Sequence, residues 1–397
     1  MTGQNQGTIV IFRIQLLPPS ETFIVAQAAA MRRFAPFYVG WRRTAGIELP
    51  LETSWTVDGG GLRGRLRELR FRYAGPTRAQ VARLRERSPR LVYAHFAPDA
   101  HAAMELAEQL GVPLVTALHG YDVTMSDEAM GRTRLGREYL EGRAALQQKG
   151  ALFLTCSAYV RQRGLALGYP VDRTIVHSIG VDVERFQPPP VGQREKIVLF
   201  VGRLVEKKGC GSLIEAMAEV QRRIPAAALV VIGNGRLRSD YEARVSARGV
   251  RCRFLGTQPA AVVRQWMERA AVFCVPSVVA ASGDAEGLGM VFIEAQAMGL
   301  PVVSTLSGGV PEAVKHGETG LLVRERDPRA LAAAILELML DHELWQRYSL
   351  AGRKHVLDHF NLARQTGRLE DVFEQLLAGR QVPGGSGARE AVQDLNR

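Results

Sequence analysis

Cysteine is scarce in this chain: Cys156, Cys210, Cys252 and Cys274 are the only four in 397 residues, and each stands alone. Scattered single thiols in or beside apolar runs exclude a zinc spacing or a disulfide framework, and they read as reduced structural cysteines. No apolar run is long enough to cross a bilayer. The start, Met1 to Gly7, is polar and lacks the basic flank and apolar core of a signal peptide, so the chain is expected to stay in the cytoplasm. The P-loop pattern is missing as well. Gly233-Asn234-Gly235 begins like a dinucleotide fingerprint, but Arg238 stands where the third glycine belongs, and an oxidoreductase loses its main support.

What is present points to two domains, because 46% hydrophobic content over 397 residues can bury two ordinary cores. The first is expected over residues 1–187, a linker over 188–195 and the second over 196–360, followed by a helix over 361–378 and a flexible tail over 379–397. Pro188, Pro189 and Pro190 mark the linker, since three prolines cannot continue a sheet interior.

The formal charge of +11 calls for an anionic partner. Between Leu62 and Arg90 lie ten arginines (63, 65, 67, 70, 72, 78, 83, 85, 87 and 90) against only Glu68 and Glu86. Leu62, Leu66, Leu69 and Tyr73 recur among them at helical spacing, which suits an amphipathic basic helix resting on anionic lipid headgroups. A solvated arginine-rich surface is the alternative. Nucleic acid is not expected, because no zinc knuckle, helix-turn-helix or aromatic RNA-binding motif lies nearby.

Taken in order, Thr8 to Ile14 predicts a buried strand, and Ser20 predicts the cap of a helix from Glu21 through Arg33. The loop between them falls at the carboxyl end of a strand, where open α/β sheets bind ligands. Strands are also predicted at 91–96 and 113–118, with a helix from about Asp99 to Leu110 between them. His119-Gly120-Tyr121-Asp122 follows directly off a strand end, which places His119 in a cleft; Asp122 either joins it or caps the next segment. After the linker, the strand from Lys196 to Val201 runs into Gly202-Arg203-Leu204-Val205-Glu206-Lys207-Lys208-Gly209. Arg203 and Lys208, flanked by glycines before a helix, can converge on a diphosphate, the Arg through a forked pair of hydrogen bonds and the Lys as a point charge.

The densest signal is Glu286-Gly287-Leu288-Gly289-Met290-Val291-Phe292-Ile293-Glu294. Its apolar run predicts a buried helix starting near Gly289, whose first amides and dipole suit a phosphate or another anion. Glu294, about one turn in, suits the two hydroxyls of a ribose, and Glu286 would face whatever hangs from the far phosphate.

With the strand-like 271–276 before it, and Gly308-Gly309-Val310-Pro311-Glu312 and Gly317-Glu318-Thr319-Gly320 after it, this order resembles the retaining nucleotide-sugar glycosyltransferases of family 4 over about residues 196 to 340. The resemblance implies an α/β GT-B fold: two Rossmann-like domains with parallel sheets facing across a cleft, and a last helix, around Asn361 to Leu377, crossing back to the first. It implies that Glu286 and Glu294 border the donor sugar and the ribose, and that Arg203 and Lys208 bind the diphosphate. Gly287, Leu288, Gly289, Met290 and Val291 form the donor loop and helix start, Gln258 lies near the base, and His119 lies against the sugar. Ser20-Glu21-Thr22-Phe23 resembles the branch that builds exopolysaccharides of the colanic acid type, so Ser20, Glu21 and Asp122 stand on the acceptor side. His95 resembles a second family histidine, but Ala97 stands where a glycine often follows Phe96, and His95 is left out of the site.

The expected activity is retaining transfer of a hexose from a nucleoside diphosphate sugar, with UDP or GDP as the nucleotide, to an acceptor hydroxyl. No cofactor or metal is expected, since cationic side chains can do a metal's work and no Asp-x-Asp pair is available to hold one. The acceptor expected is a saccharide on a lipid such as polyprenyl diphosphate, used in exopolysaccharide or lipopolysaccharide assembly, with the enzyme peripheral on the inner membrane face. A soluble sugar acceptor and a non-catalytic nucleotide-sugar-binding protein are the alternatives.

Overall fold

The central strands of this protein are largely continuous apolar runs, as expected for parallel sheets covered on both faces by helices. The computed structural model describes residues 7–18, 21–44, 46–189, 194–380 and 382, so Ser20, linker residues 190–193 and the tail beyond 382 lie outside the described residues. The chain divides into two units: Met1–Gly180 with Leu362–Arg397, and Val181–Asn361.

The first unit holds β1 (Thr8–Leu16), β2 (Ala35–Arg43), β3 (Ser54–Thr56), β4 (Pro89–His95), β5 (Leu114–Leu118), β6 (Leu152–Thr155) and β7 (Thr174–Val176). They pair in parallel in the order β3-β2-β1-β4-β5-β6-β7, so the direction of winding reverses between β1 and β4. Helices α1 (Thr22–Ala29), α2 (Gly61–Ala74), α3 (Arg78–Arg85) and α4 (Ala97–Leu110) connect the strands of its first half. The stretch that forms β2 and β3 carried no strand expectation.

Helix α1 stops at Ala29, four residues short of the extent read from sequence. The amides of Arg32 and Arg33 turn to the Glu370 carboxylate at 2.9 and 2.6 Å, which satisfies them outside the helix. Glu370 belongs to the C-terminal helix Leu362–Leu377, which packs Leu369 and Phe373 into the same core as Ile9, Ile24, Phe34 and Tyr93. Burying two such side chains contributes about 1.5–3 kcal/mol each.

The arginine-rich stretch is two helices, not one, because Gly75 takes φ 67° and Pro76 follows it between α2 and α3. Helix α2 turns its polar Glu68 and aromatic Phe71 inward. Its leucine stripe faces out: Leu62 is 80% exposed, Leu66 66%, Leu69 45% and Tyr73 57%.

The second unit holds β8 (Glu195–Val201), β9 (Ala228–Ile232), β10 (Cys252–Gly256), β11 (Ala270–Cys274), β12 (Val302–Thr305) and β13 (Gly320–Val323). The parallel order β10-β9-β8-β11-β12-β13 reverses between β8 and β11. Helix α5 (Cys210–Arg223) follows the β8 loop, and α6 (Met290–Ala297) follows the β11 loop. This unit begins at Val181, ahead of the prolines, because the Val181 amide bonds Phe360 O at 2.8 Å and Arg353 holds the Val183 carbonyl at 3.0 Å. Among the described residues no helix is long and apolar enough to cross a membrane.

Candidate functional site

Ligands of open α/β sheets bind beyond the carboxyl ends of the strands where winding reverses. In the second unit that point lies between β8 and β11. The loop after β8 carries Arg203 and Lys208, and the loop after β11 carries Glu286 and ends at Gly289, the left-handed residue that opens α6.

The two loops are joined by several contacts. Gly209 has φ +64°, and a Cβ there would lie 1.8 Å from Pro276 O, so only glycine lets the backbones approach this closely. The Val278 amide donates to Lys207 O at 2.8 Å, and Lys207 Nζ reaches Asp284 at 2.9 Å. Beside this pair, Lys208 Nζ donates to Glu286 Oε2, and the Ser277 hydroxyl lies 3.5 Å from the same oxygen. The Glu286 carbonyl accepts from the Gly309 amide at 2.8 Å.

The two glutamates differ in charge. Burial pushes the Glu286 carboxyl up, but Lys208, Lys207 and Arg203 outweigh it and hold the group at about 2, ionised at any physiological pH. Burial pushes Glu294, inside α6, up to about 7, with only Arg185 opposing. Arg203 is exposed and acts on Glu286 through its field. Gly287, Leu288 and Gly289 are buried and bring the chain into α6, where Met290 and Val291 present the first amides. Gln258 lies just past β10, the edge strand, and donates its side-chain amide to Leu255 O at 2.5 Å, so its own loop holds it.

A second cluster occupies the switch point of the first unit. Arg13, buried within β1, forks onto Glu21 at 2.9 and 2.5 Å, reaches Asp99 at 2.6 Å and donates to the His95 carbonyl at 3.0 Å. Glu21, read from sequence as an acceptor contact, is the buried ion-pair partner of Arg13 in this cluster. Asp122, also placed on the acceptor side, is buried and makes the capping contacts that were its other expectation. It accepts the amides of Ala97, His119 and Gly120 at 3.2, 3.2 and 2.8 Å, and so fixes the turn that carries His119.

His119 stands between Phe23 and Phe96, with ring centroids 5.2 and 4.7 Å away. Its Nε2 lies 3.0 Å from Nδ1 of His95, so the histidine left out of the site belongs beside the one put in. Burial and the nearby Arg13 charge hold His119 at about 3, and burial drives His95 well below its ordinary range, so both are neutral hydrogen-bonding groups. Sequence reasoning missed Arg13 and Asp99, and set His95 aside because of Ala97. For Arg13 the available signal was a lone arginine inside a β-branched run, and of its carboxylate partners only Glu21, eight positions on, lies nearby in sequence.

Comparison with known proteins gives the family and the fold. The family described as glycosyl transferases group 1 matches residues 183–355, and glycosyltransferase family 4 matches residues 23–185. The GDP-mannose-dependent alpha-(1-6)-phosphatidylinositol monomannoside mannosyltransferase of Mycolicibacterium smegmatis is 32% identical over 283 residues, covering 68% of this chain and 72% of that one. A glycosyltransferase of Salmonella typhimurium named for colanic acid biosynthesis is 33% identical over 294 residues, covering 71% and 70%. HepE of Anabaena, solved with UDP and glucose, superposes with a TM-score of 0.72 at 19% identity, over 93% of this chain and 100% of its own. Its likeness shows the fold, and the two parallel-sheet units are those of GT-B proteins. The chain belongs to the group 1 glycosyltransferases, with a family 4 segment in its N-terminal half.

Proposed function

We propose that this glycosyltransferase moves a hexose from a UDP or GDP sugar to a hydroxyl of a lipid-linked saccharide, with retention of configuration and without a metal, in exopolysaccharide or lipopolysaccharide assembly. The observation that carries the reading is the meeting of Lys208, the field of Arg203, Glu286 and the start of α6 at the switch point of one sheet.

Cleavage of the glycosidic bond leaves negative charge on the departing diphosphate, and preorganised cations and amides stabilise that charge as it grows. Arg203, Lys208 and the amides of Met290 and Val291 take this role. Glu286 is ionised, so it holds sugar hydroxyls and stabilises positive charge on the ring; it neither donates a proton nor attacks. The leaving phosphate takes the acceptor proton on the same face, which retains configuration. Glu294 accepts from the ribose hydroxyls. In the first unit, neutral His119 offers a nitrogen to a sugar hydroxyl, fixed in place by Asp122 and His95.

A lipid-borne acceptor is supported by the exposed leucines of α2 among arginines 63, 65, 67 and 70, and by the phosphatidylinositol in the mycobacterial relative's name. The fitting location is peripheral, on an anionic cytoplasmic face. Incubation with UDP- and GDP-hexoses and a bacterial lipid extract tests the reading. Nucleoside diphosphate release matched by a lipid-extractable product of unchanged anomeric configuration, in the presence of EDTA, is expected. A product that stays in water favours the soluble acceptor, and nucleotide binding without release or transfer contradicts an enzyme.

A further inference from the structure

We propose that Lys208 and Glu286 exchange partners during turnover: the incoming diphosphate takes Lys208 from Glu286, the freed carboxylate turns to the donor sugar, and the ion pair re-forms to drive the nucleoside diphosphate out. The inference rests on the donor-site reading of the second unit and adds to it a competition built into the site.

The ion pair is well shielded, with the Lys208 and Glu286 side chains 12% and 11% exposed. A lysine ammonium is a compact charge with three donors, and a diphosphate is a stronger partner than a single carboxylate. Phosphate binding at Lys208 therefore weakens its hold on Glu286. The carboxylate is not stranded when this happens. The Ser277 hydroxyl stays 3.5 Å away, and the charges of Lys207 and Arg203 continue to act on it, so it keeps favourable neighbours while it turns to sugar hydroxyls. Lys207 has its own carboxylate partner, Asp284, at 2.9 Å.

Donor and product consequently meet different sites. An intact donor offers Glu286 new partners on its sugar, whereas a bare nucleoside diphosphate takes Lys208 and gives Glu286 nothing in return. Glu286 thus disfavours product binding, in addition to its contact with the sugar. A lysine with three protons could instead bridge carboxylate and phosphate together, and in that case removing the carboxylate would bring no gain in product affinity.

Calorimetric titration of the full chain with UDP, GDP and inorganic pyrophosphate separates these cases. Glu286→Gln is expected to bind the preferred nucleoside diphosphate and pyrophosphate about tenfold tighter than wild type, with slower nucleotide release in stopped flow and little transfer. Glu286→Asp, which keeps the charge but draws it back by one methylene from Lys208, is expected to tighten binding to a lesser degree, and it serves if the Gln variant does not fold. In a Lys208→Met background the same Gln substitution should gain much less. If wild type binds neither UDP nor GDP, the donor-site reading fails and this inference with it. If wild type binds but both Glu286 variants bind no tighter, the exchange alone is overturned.

Discussion

Arg13 and Asp99 meet at 2.6 Å inside the first unit, with side chains 9% and 7% exposed. Breaking a buried pair by removing one partner costs about 3–5 kcal/mol, because the other charge is left buried without compensation. Arg13→Met should cost about that much in denaturant unfolding of the first unit, and Arg13→Lys less, since it keeps the charge but loses the fork onto Glu21. Burial pushes Asp99 up to about 6, with Arg13 opposing. Because this folded value lies above the unfolded one, the penalty is absent below about pH 4 and grows as pH rises through 6. The Arg13→Met deficit should therefore be larger at pH 8 than at pH 5.

Nucleotide affinity should depend on pH through Glu294, which burial holds at about 7. Ribose hydroxyls donate, so they bind the ionised form better. Affinity should rise from pH 6 to pH 8 in wild type; in Glu294→Gln it should be weaker, and the rise should shrink to the part that comes from ionisation of the nucleotide's terminal phosphate. Stability should run the other way. The folded value is raised, so the contribution of Glu294 is full below the unfolded value and is lost as pH rises through 7. Thermal melts of wild type against Glu294→Gln at pH 5 and pH 8 check this sign.

Gly308 supports Glu286 from behind. It has φ +55°, and a Cβ there would lie 2.3 Å from the Glu286 carbonyl. Gly308→Ala should cut transfer strongly and destabilise the second unit by about 1–3 kcal/mol. Gly317 has φ +75° with nothing within 4 Å of its would-be Cβ, so Gly317→Ala carries backbone strain alone and should spare transfer.

These glycines also mark what the sequence made legible. The places of Arg203, Lys208, Glu286 and Glu294 after strand ends and at a helix start were legible, because local pattern carries that relation, while the roles expected of them came from the family resemblance. The Arg13–Asp99 pair could not be read, since the two lie 86 positions apart, nor could the end of α1, since Glu370 acts from more than 330 positions away. Spacing announced the leucine stripe of α2 but not its direction. In the fold Phe71 and Glu68 face inward, and Glu68 is used by Arg42 at 2.7 Å.

That outward stripe gives a membrane prediction. Flotation with liposomes containing phosphatidylglycerol should carry the protein up, and neutral liposomes should not. Replacing Arg63, Arg65, Arg67 and Arg70 with Gln should weaken binding by about 4 kcal/mol, at roughly 1 kcal/mol per basic residue near the surface. Leu62→Asp with Leu66→Asp should abolish flotation and leave the melting temperature unchanged, because both side chains are exposed. Flotation indifferent to lipid charge would count against this face.

The most direct measurement is calorimetric titration of UDP and GDP into wild type, Arg203→Ala and Lys208→Ala. One nucleoside diphosphate should bind one-to-one, and each substitution should weaken it about 10- to 100-fold through loss of a charge-assisted hydrogen bond, with the nucleoside alone unaffected. Equal affinity of all three proteins for that nucleotide would contradict a diphosphate site between the β8 and β11 loops.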